Sequence, residues 1–446
     1  MRTKPGRSRL RLRSALVVAT AGVMAAACTA GGGAASGPAE APSSDQAVTI
    51  QVWSAFADRE LGLVKDALDK YHAKHPNVTI DNQGSQDDDK ITQAIRSGNP
   101  PDVAISFTTD NIGQFASSGA WQDLKPYIER DKYNLDDIPQ AVRDYTEYDG
   151  KRVALPMLAD VYGLYYNKDL LAKAGLTSPP KTTAELLDFA KKTTVKAADG
   201  SIEVAGFLPQ MGFYAFKPQI VATMFGAKWI DKDGKSILGQ DQGWKDMFTW
   251  QKELIDFYGW DNLQKFTAGL GQEYSADNGF HAGKVAMAID GEYRTAFLAD
   301  QTPALNYGTT ALPTSKPENY GGGYTTGTII GIPKGAKNPG AAWDLIKYLT
   351  SDTDALVGLA NGLHNVPSTK TSLSSPDLKL GDTFKPFLDA FQNKNLTSNP
   401  ASTIGDQYLK IVSDFGEAWQ SGSNTDLGGG LTTLDKQIDD AKALGK

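Results

Sequence analysis

Between residues 48 and 105 the chain switches repeatedly between the two hydrophobic periods that separate strands from helices. Val48-Thr49-Ile50-Gln51-Val52-Trp53 alternates apolar and polar side chains, which predicts a strand. In Asp58 to Lys74 the apolar residues Leu61, Val64, Leu68 and Tyr71 recur at spacings of three, four and three, the stripe of an amphipathic helix that Pro76 stops. A short strand over Asn77–Ile80, a helix over Asp88–Ser97 and the apolar run Val103-Ala104-Ile105 complete the series. A β-α-β-α-β order points to an α/β fold with helices on both faces of an open sheet. Ligands in such sheets bind beyond the carboxyl ends of strands, near the switch in strand order.

With 446 residues the chain is too long for one ordinary core, so two lobes are expected. Lys151–Pro156 and Val161–Tyr166 predict two further strands, and the Thr182-x-x-Glu185 capping box opens a helix through Lys192. Asn338-Pro339 starts another helix, with Ala342, Leu345, Ile346 and Leu349 on its buried face.

The amino terminus belongs to a different regime. Arg2, Lys4, Arg7, Arg9, Arg11 and Arg13 precede the uncharged run Ser14–Ala27, which has the length of a signal-peptide core and falls short of the roughly 20 residues of a membrane span. Residues 1–27 are therefore an export signal. Setting them aside leaves 39 basic and 52 acidic residues, a net charge near −13 that disfavours nucleic acid and anionic surfaces. The single cysteine, Cys28, can form neither an internal disulfide nor a cysteine zinc cage. It follows Ala25-Ala26-Ala27, which resembles a bacterial lipobox, with Ala25 where leucine is usual. Lipidation of Cys28 would anchor the exported chain to the outer face of the bacterial cell membrane, and residues 28–45, rich in Gly, Ala, Ser and Pro, would serve as a flexible tether. The rival reading is ordinary cleavage, which would leave a free thiol.

Seven segments of the body, taken in order, resemble the extracellular carbohydrate-binding proteins of ABC importers, the family that includes maltose-binding protein. They are residues 48–56, 95–105, 119–128, 150–175 with its YYNKDLL motif, 179–192, 280–294 and 338–351. The resemblance implies a two-lobed, periplasmic-binding-protein-like α/β fold with discontinuous lobes joined by a hinge. It places one crossover near Leu155-Pro156 and the return near Ala311-Leu312-Pro313. The amino-terminal lobe would be residues 46–156 plus 308–350, and the carboxyl-terminal lobe residues 157–307 plus 351–446.

Sugar recognition needs aromatic faces against apolar C–H faces and carboxylates or amides that hold hydroxyls in fixed directions. The resemblance implies a ligand-binding acid at Asp160, which also needs a partner because its segment is apolar, and a second at Asp110, where the alternative is a helix N-cap. It implies aromatic platforms at Tyr214 and at Tyr293, which stands where relatives often carry Trp, and re-entry of the chain into the cleft near His364. Phe56 and Asp87 follow the first and second strands, although Asp87 could simply begin a helix. Gly322, Gly323 and Tyr324 lie in a Gly-rich segment whose backbone could approach a ligand or form a plain turn. His72-x-x-His75 reads as solvated histidines and Tyr165-Tyr166 as alternate faces of a strand.

These features predict a monomeric, non-enzymatic receptor with no cofactor or metal, which binds a mono- or oligosaccharide between its lobes and delivers it to a membrane permease. A polyamine or other small solute on the same fold is the first alternative. An exported glycoside hydrolase is the second, although no acid pair of defined separation is recognisable.

Overall fold

The thirteen residues Leu155–Asn167 form one continuous strand that belongs to two halves of a sheet at once. The computed structural model describes residues 38–444. Its strands of four or more residues are β1 Val48–Ser54, β2 Val78–Gln83, β3 Val103–Ser106, β4 Leu155–Asn167, β5 Ile202–Phe207, β6 Val285–Gly291, β7 Tyr307–Ala311 and β8 Gly323–Gly331. They run in the order β2-β1-β3-β8-β4-β6-β5, with β7 also paired to β4. β1 is parallel to β2 and β3, as β-α-β connections require, whereas β8 returns antiparallel to β3 and β4.

The first half of β4 pairs with β8, from Leu155 opposite Ile330 to Val161 opposite Thr325. Its second half pairs with β6, from Tyr162 opposite Gly291 to Tyr166 opposite Met287, and with β7. The hand-over therefore falls between Val161 and Tyr162. Two separate strands were expected here, broken near Asp160. The strand runs on because the Asp160 side chain finds polar partners without leaving the sheet.

Helices form where the periodicity places them. Asp58–Lys74 buries Val64, Leu68 and Tyr71. Thr183–Thr193 opens with both halves of the Thr182–Glu185 capping box. Pro339–Ser351 buries Ala342, Leu345, Ile346 and Leu349. His72 contacts the Val78 carbonyl through Nδ1, and the His75 ring stacks on Tyr71 at 4.3 Å. Tyr165 is fully buried and donates to the Gly291 carbonyl, while Tyr166, on the other face, is partly exposed.

Two large apolar cores lie to either side of the crossover, which gives the α/β chain its two lobes. One gathers Ile50, Val52, Leu68, Trp343 and Ile346. The other gathers Trp244, Phe248, Leu254, Met287 and Phe415. A third cluster, including Trp121, Tyr145, Val161, Tyr165 and Phe387, underlies β4 itself. The helix Thr353–Leu363 places Leu359, Ala360 and Leu363 in the first core, although the expected boundary put everything after residue 350 in the second lobe. The helices Gln407–Gln420 and Leu427–Leu444 do join the second core.

Residues 38–43, expected to belong to the tether, lie along the first lobe. Arg130 donates to the carbonyls of Pro38 and Ala39, at 3.3 and 2.8 Å, and faces Glu40 at 3.4 Å. Asn77 donates to the Ser43 carbonyl at 3.0 Å.

Candidate functional site

Successive side chains of a strand point to opposite faces, so Asp160 and Tyr162 share one face of β4 at the hand-over point. Asn365 Nδ2 donates to Asp160 Oδ1 at 2.6 Å and to Glu292 Oε1 at 3.0 Å. The Val161 amide donates to Glu292 Oε2 at 2.6 Å. The Asn365 amide thus bridges the Asp160 and Glu292 carboxyl groups. Burial pushes the Asp160 carboxyl up to about 7, and burial together with the Asp160 charge pushes Glu292 well above the ordinary carboxylate range. Glu60, at the start of the first-lobe helix, faces Asp160 and is itself raised by burial.

Beside this pair opens a cavity of about 490 Å³, with Phe107, Asp110, Tyr162, Lys217, Tyr324 and Asp406 in its lining. Asp110 accepts from Asn399 Nδ2 at 2.8 Å, and burial raises its carboxyl. Asn399 also donates to the Tyr324 hydroxyl at 3.1 Å. The Thr109 and Thr326 hydroxyls meet at 3.2 Å.

An aromatic row runs along the crossover. Tyr324 lies 5.5 Å from Tyr162, Tyr162 lies 6.4 Å from Tyr293, and Tyr293 lies 6.4 Å from Tyr274, centroid to centroid. The Tyr162 and Tyr293 hydroxyls are 3.4 Å apart. Tyr274 is half exposed and rests on the Arg294 guanidinium and the Phe297 ring. Arg294 is fixed from behind by a buried ion pair with Asp290 at 2.7 Å.

The expected residues are divided by this geometry. Asp110, Asp160, Tyr293 and Tyr324 line the cavity or the crossover beside it. Phe56 is buried and packs edge-on beneath Phe107 at 4.5 Å, so Phe107, at 39% exposure, is the ring offered to the cleft. Asp87 is exposed and caps the helix Asp88–Arg96 by accepting from the Lys90 amide. Its neighbour Asp88 turns inward to Ser106 and Asn111. Tyr214 uses its hydroxyl to donate to the Gly271 carbonyl at 2.6 Å and to accept from the Gly279 amide, and lines a small apolar cleft with Phe207 and Ala288.

Gly322 and Gly323 line a separate groove of about 700 Å³ together with Leu312 and Asn395. There the close approach that Gly322 permits is to the Asn395 backbone, where a Cβ would meet the carbonyl oxygen at 2.5 Å. His364 closes the helix Thr353–Leu363 in a left-handed conformation, and its Nδ1 meets the Thr295 hydroxyl at 2.9 Å. The residue that reaches the carboxyl pair is its neighbour Asn365. Cys28 lies outside the described residues.

Several cleft groups escaped the sequence reading: Phe107, Tyr162, Lys217, Glu292, Asn365 and Asn399. Strand alternation alone would have found Tyr162, two residues beyond Asp160. Glu292 follows the strand end at Gly291 and stands between Asp290 and Arg294, so no apolar context set it apart as it did Asp160. Nothing local marks Asn399.

The arrangement offers acceptor carboxylates, amides and aromatic faces together, the complement of a polyhydroxylated ligand with apolar C–H faces. Comparison with known proteins agrees with this chemistry. Residues 56–355 match the family described as bacterial extracellular solute-binding protein. A maltotriose-binding protein from Pyrococcus abyssi is 25% identical over 360 residues, covering 78% of this chain and 72% of that one. A maltooligosaccharide ABC transporter solute-binding lipoprotein from Streptococcus pneumoniae is 24% identical over 425 residues, covering 93% and 91%. Among solved structures, CpMnBP1 with mannotriose bound superposes with a TM-score of 0.77 at 28% identity, covering 90% of this chain and all of that one.

Proposed function

Because this chain belongs to the bacterial extracellular solute-binding proteins, we propose that it captures a mono- or oligosaccharide between its lobes for an ABC importer. The observation that carries the reading is the placement of Asp160, Glu292, Tyr162 and Tyr293 where β4 passes from one lobe to the other. A ligand bound there touches both halves of the sheet, so it favours whichever lobe arrangement completes its contacts. Related proteins that bind maltotriose, maltooligosaccharides and mannotriose support a carbohydrate of this kind.

In this reading Asp110 and Asp160 accept sugar hydroxyls, and Tyr162, Tyr293 and Phe107 cover sugar faces. The lobe boundary lies at the Val161–Tyr162 hand-over, with helix Thr353–Leu363 in the first lobe. The chain is exported and works as a monomer, lipid-anchored through Cys28 at the outer membrane face, with a permease as its partner. Hydrolysis is a poorer fit: two glycosidase carboxyls stand roughly 5 to 9.5 Å apart to flank a scissile bond, whereas Asp160 and Glu292 are bridged by the Asn365 amide.

A thermal-shift screen of the mature protein against carbohydrates and polyamines tests the proposal. A true ligand at 100 times its Kd should add about 2.7 kcal/mol of stability. A midpoint raised by polyamines and by no carbohydrate would overturn it.

A further inference from the structure

We infer that ligand capture expels a proton from the Asp160–Glu292 carboxyl pair, so that affinity falls as the medium is acidified. The inference rests on the receptor reading above and concerns how its central acids bind.

Asp160 and Glu292 accept from the same Asn365 amide nitrogen, at 2.6 and 3.0 Å, and two buried carboxyls held that close cannot both carry charge without compensation. The groups that face them come from every element packed around the hand-over. β4 contributes Tyr162 and the Val161 amide, while Tyr165 lies beneath the Glu292 backbone. The segment after helix Thr353–Leu363 contributes Asn365, with His364 turned aside to Thr295. Helix Asp58–Lys74 contributes Glu60, a third acid, and the segment after helix Gln140–Asp144 contributes the buried Tyr145 hydroxyl, which has no hydrogen-bond partner among the described residues. The neighbouring cation Arg59 is directed to the Gly362 carbonyl at 2.9 Å and to Asp300 at 3.8 Å. Among the described residues neither Asp160 nor Glu292 forms a salt bridge.

Three N–H···O bonds, two from Asn365 and one from Val161, are thus the direct backbone and amide support of the pair. That suits a pair that keeps protons in the empty cleft, in keeping with the upward shifts of both carboxyls. A bound polyol supplies O–H donors to Asp160. Donors stabilise the ionised carboxylate over the acid, and a charge-assisted bond is the stronger one. The O–H bond of the acid breaks, its electrons stay on the carboxylate, and the proton passes to buffer. If one proton must leave, the Kd rises tenfold per pH unit on the acid side of the transition.

Isothermal titration calorimetry of the full mature protein decides this, using the carbohydrate with the largest thermal shift, from pH 5.5 to 8.5. At each pH two buffers of different ionisation enthalpy are compared. We expect proton release that starts near neutrality and grows towards one as the pH falls to about 6, and a Kd at least tenfold weaker at pH 5.5 than at pH 7.5. Glu292→Gln should move the acid limb to lower pH by a unit or more, because Asp160 then lacks a second acid. Should the variant not fold, the carboxyl ¹³C resonance of Asp160 in the unaltered protein should titrate near neutrality and move to lower pH with ligand. Binding with buffer-independent heats and a flat Kd overturns this inference and leaves the receptor reading intact. Binding of no carbohydrate at any pH overturns both.

Discussion

The Asn399 amide donates to the Asp110 carboxylate at 2.8 Å across a sequence separation of 289 residues. The same amide reaches the Tyr324 hydroxyl, so one side chain ties three chain segments at the cleft. Asn399→Ala leaves a buried carboxylate and a buried phenol short of a donor, a loss of about 1–3 kcal/mol. Urea unfolding should show it, and ligand affinity should fall with it.

In the proposed receptor Tyr293 covers a sugar face, and its hydroxyl meets only that of Tyr162 among the described side chains. Tyr293→Phe should therefore keep most of the affinity, while Tyr293→Ala should weaken the Kd about fivefold through the lost face, worth about 1 kcal/mol. Equal losses in the two variants would assign the effect to the hydroxyl.

Gly327 stands opposite Ala159 in the β8–β4 pair. A Cβ there would meet the Leu158 carbonyl oxygen, and would lie 2.9 Å from both the Ala159 Cα and the Tyr145 hydroxyl. Gly327→Ala should cost roughly 1–3 kcal/mol in chemical denaturation, because the two crossover strands must move apart. Gly62, in the middle of helix Asp58–Lys74, has open space at the same position, and Gly62→Ala should raise stability by up to about 1 kcal/mol.

Arg130 beside Asp131, joined by Lys347 and Trp343, holds the Asp131 carboxyl well below the usual range. A carboxyl lowered by folding contributes stability above its unfolded value of about 4 and loses it as pH falls towards the folded one. Asp131→Asn should thus be less stable than the unaltered protein at pH 6, by about 1 kcal/mol, with the gap closing towards pH 2 in denaturant titrations.

Replacing Cys28 by Ser removes the thiol that lipidation requires. The protein should then move from the membrane fraction to the culture medium, as an immunoblot of both fractions will show. Retention on the membrane would rule out the lipid anchor.

Much of the first lobe could be read from periodicity, because the buried stripe of helix Asp58–Lys74 and the alternation of β1 are local consequences of which face meets the core. Asp160 was legible for a different reason: an acid within Met157–Tyr162 must have polar partners. The identity of those partners was not legible, since Asn365 arrives from 205 residues beyond Asp160, and Glu292 from 131 beyond Val161, along paths set by tertiary packing. Asp87 shows the opposite failure. An acid run before a helix satisfies the N-cap by itself, and here Asp88, one residue on, takes the buried role. None of the seven segments that resemble the family lies beyond residue 351, and Asn399, which holds Asp110, and Asp406 of the cavity lining come from that later stretch.

The clasp of Arg130 on Pro38, Ala39 and Glu40 gives the molecule a mechanical polarity. Any pull exerted through the chain before Pro38 is delivered to the first lobe, because residues 38–43 are fastened there. In the proposed anchored receptor, such a pull reaches the first lobe before it reaches the second.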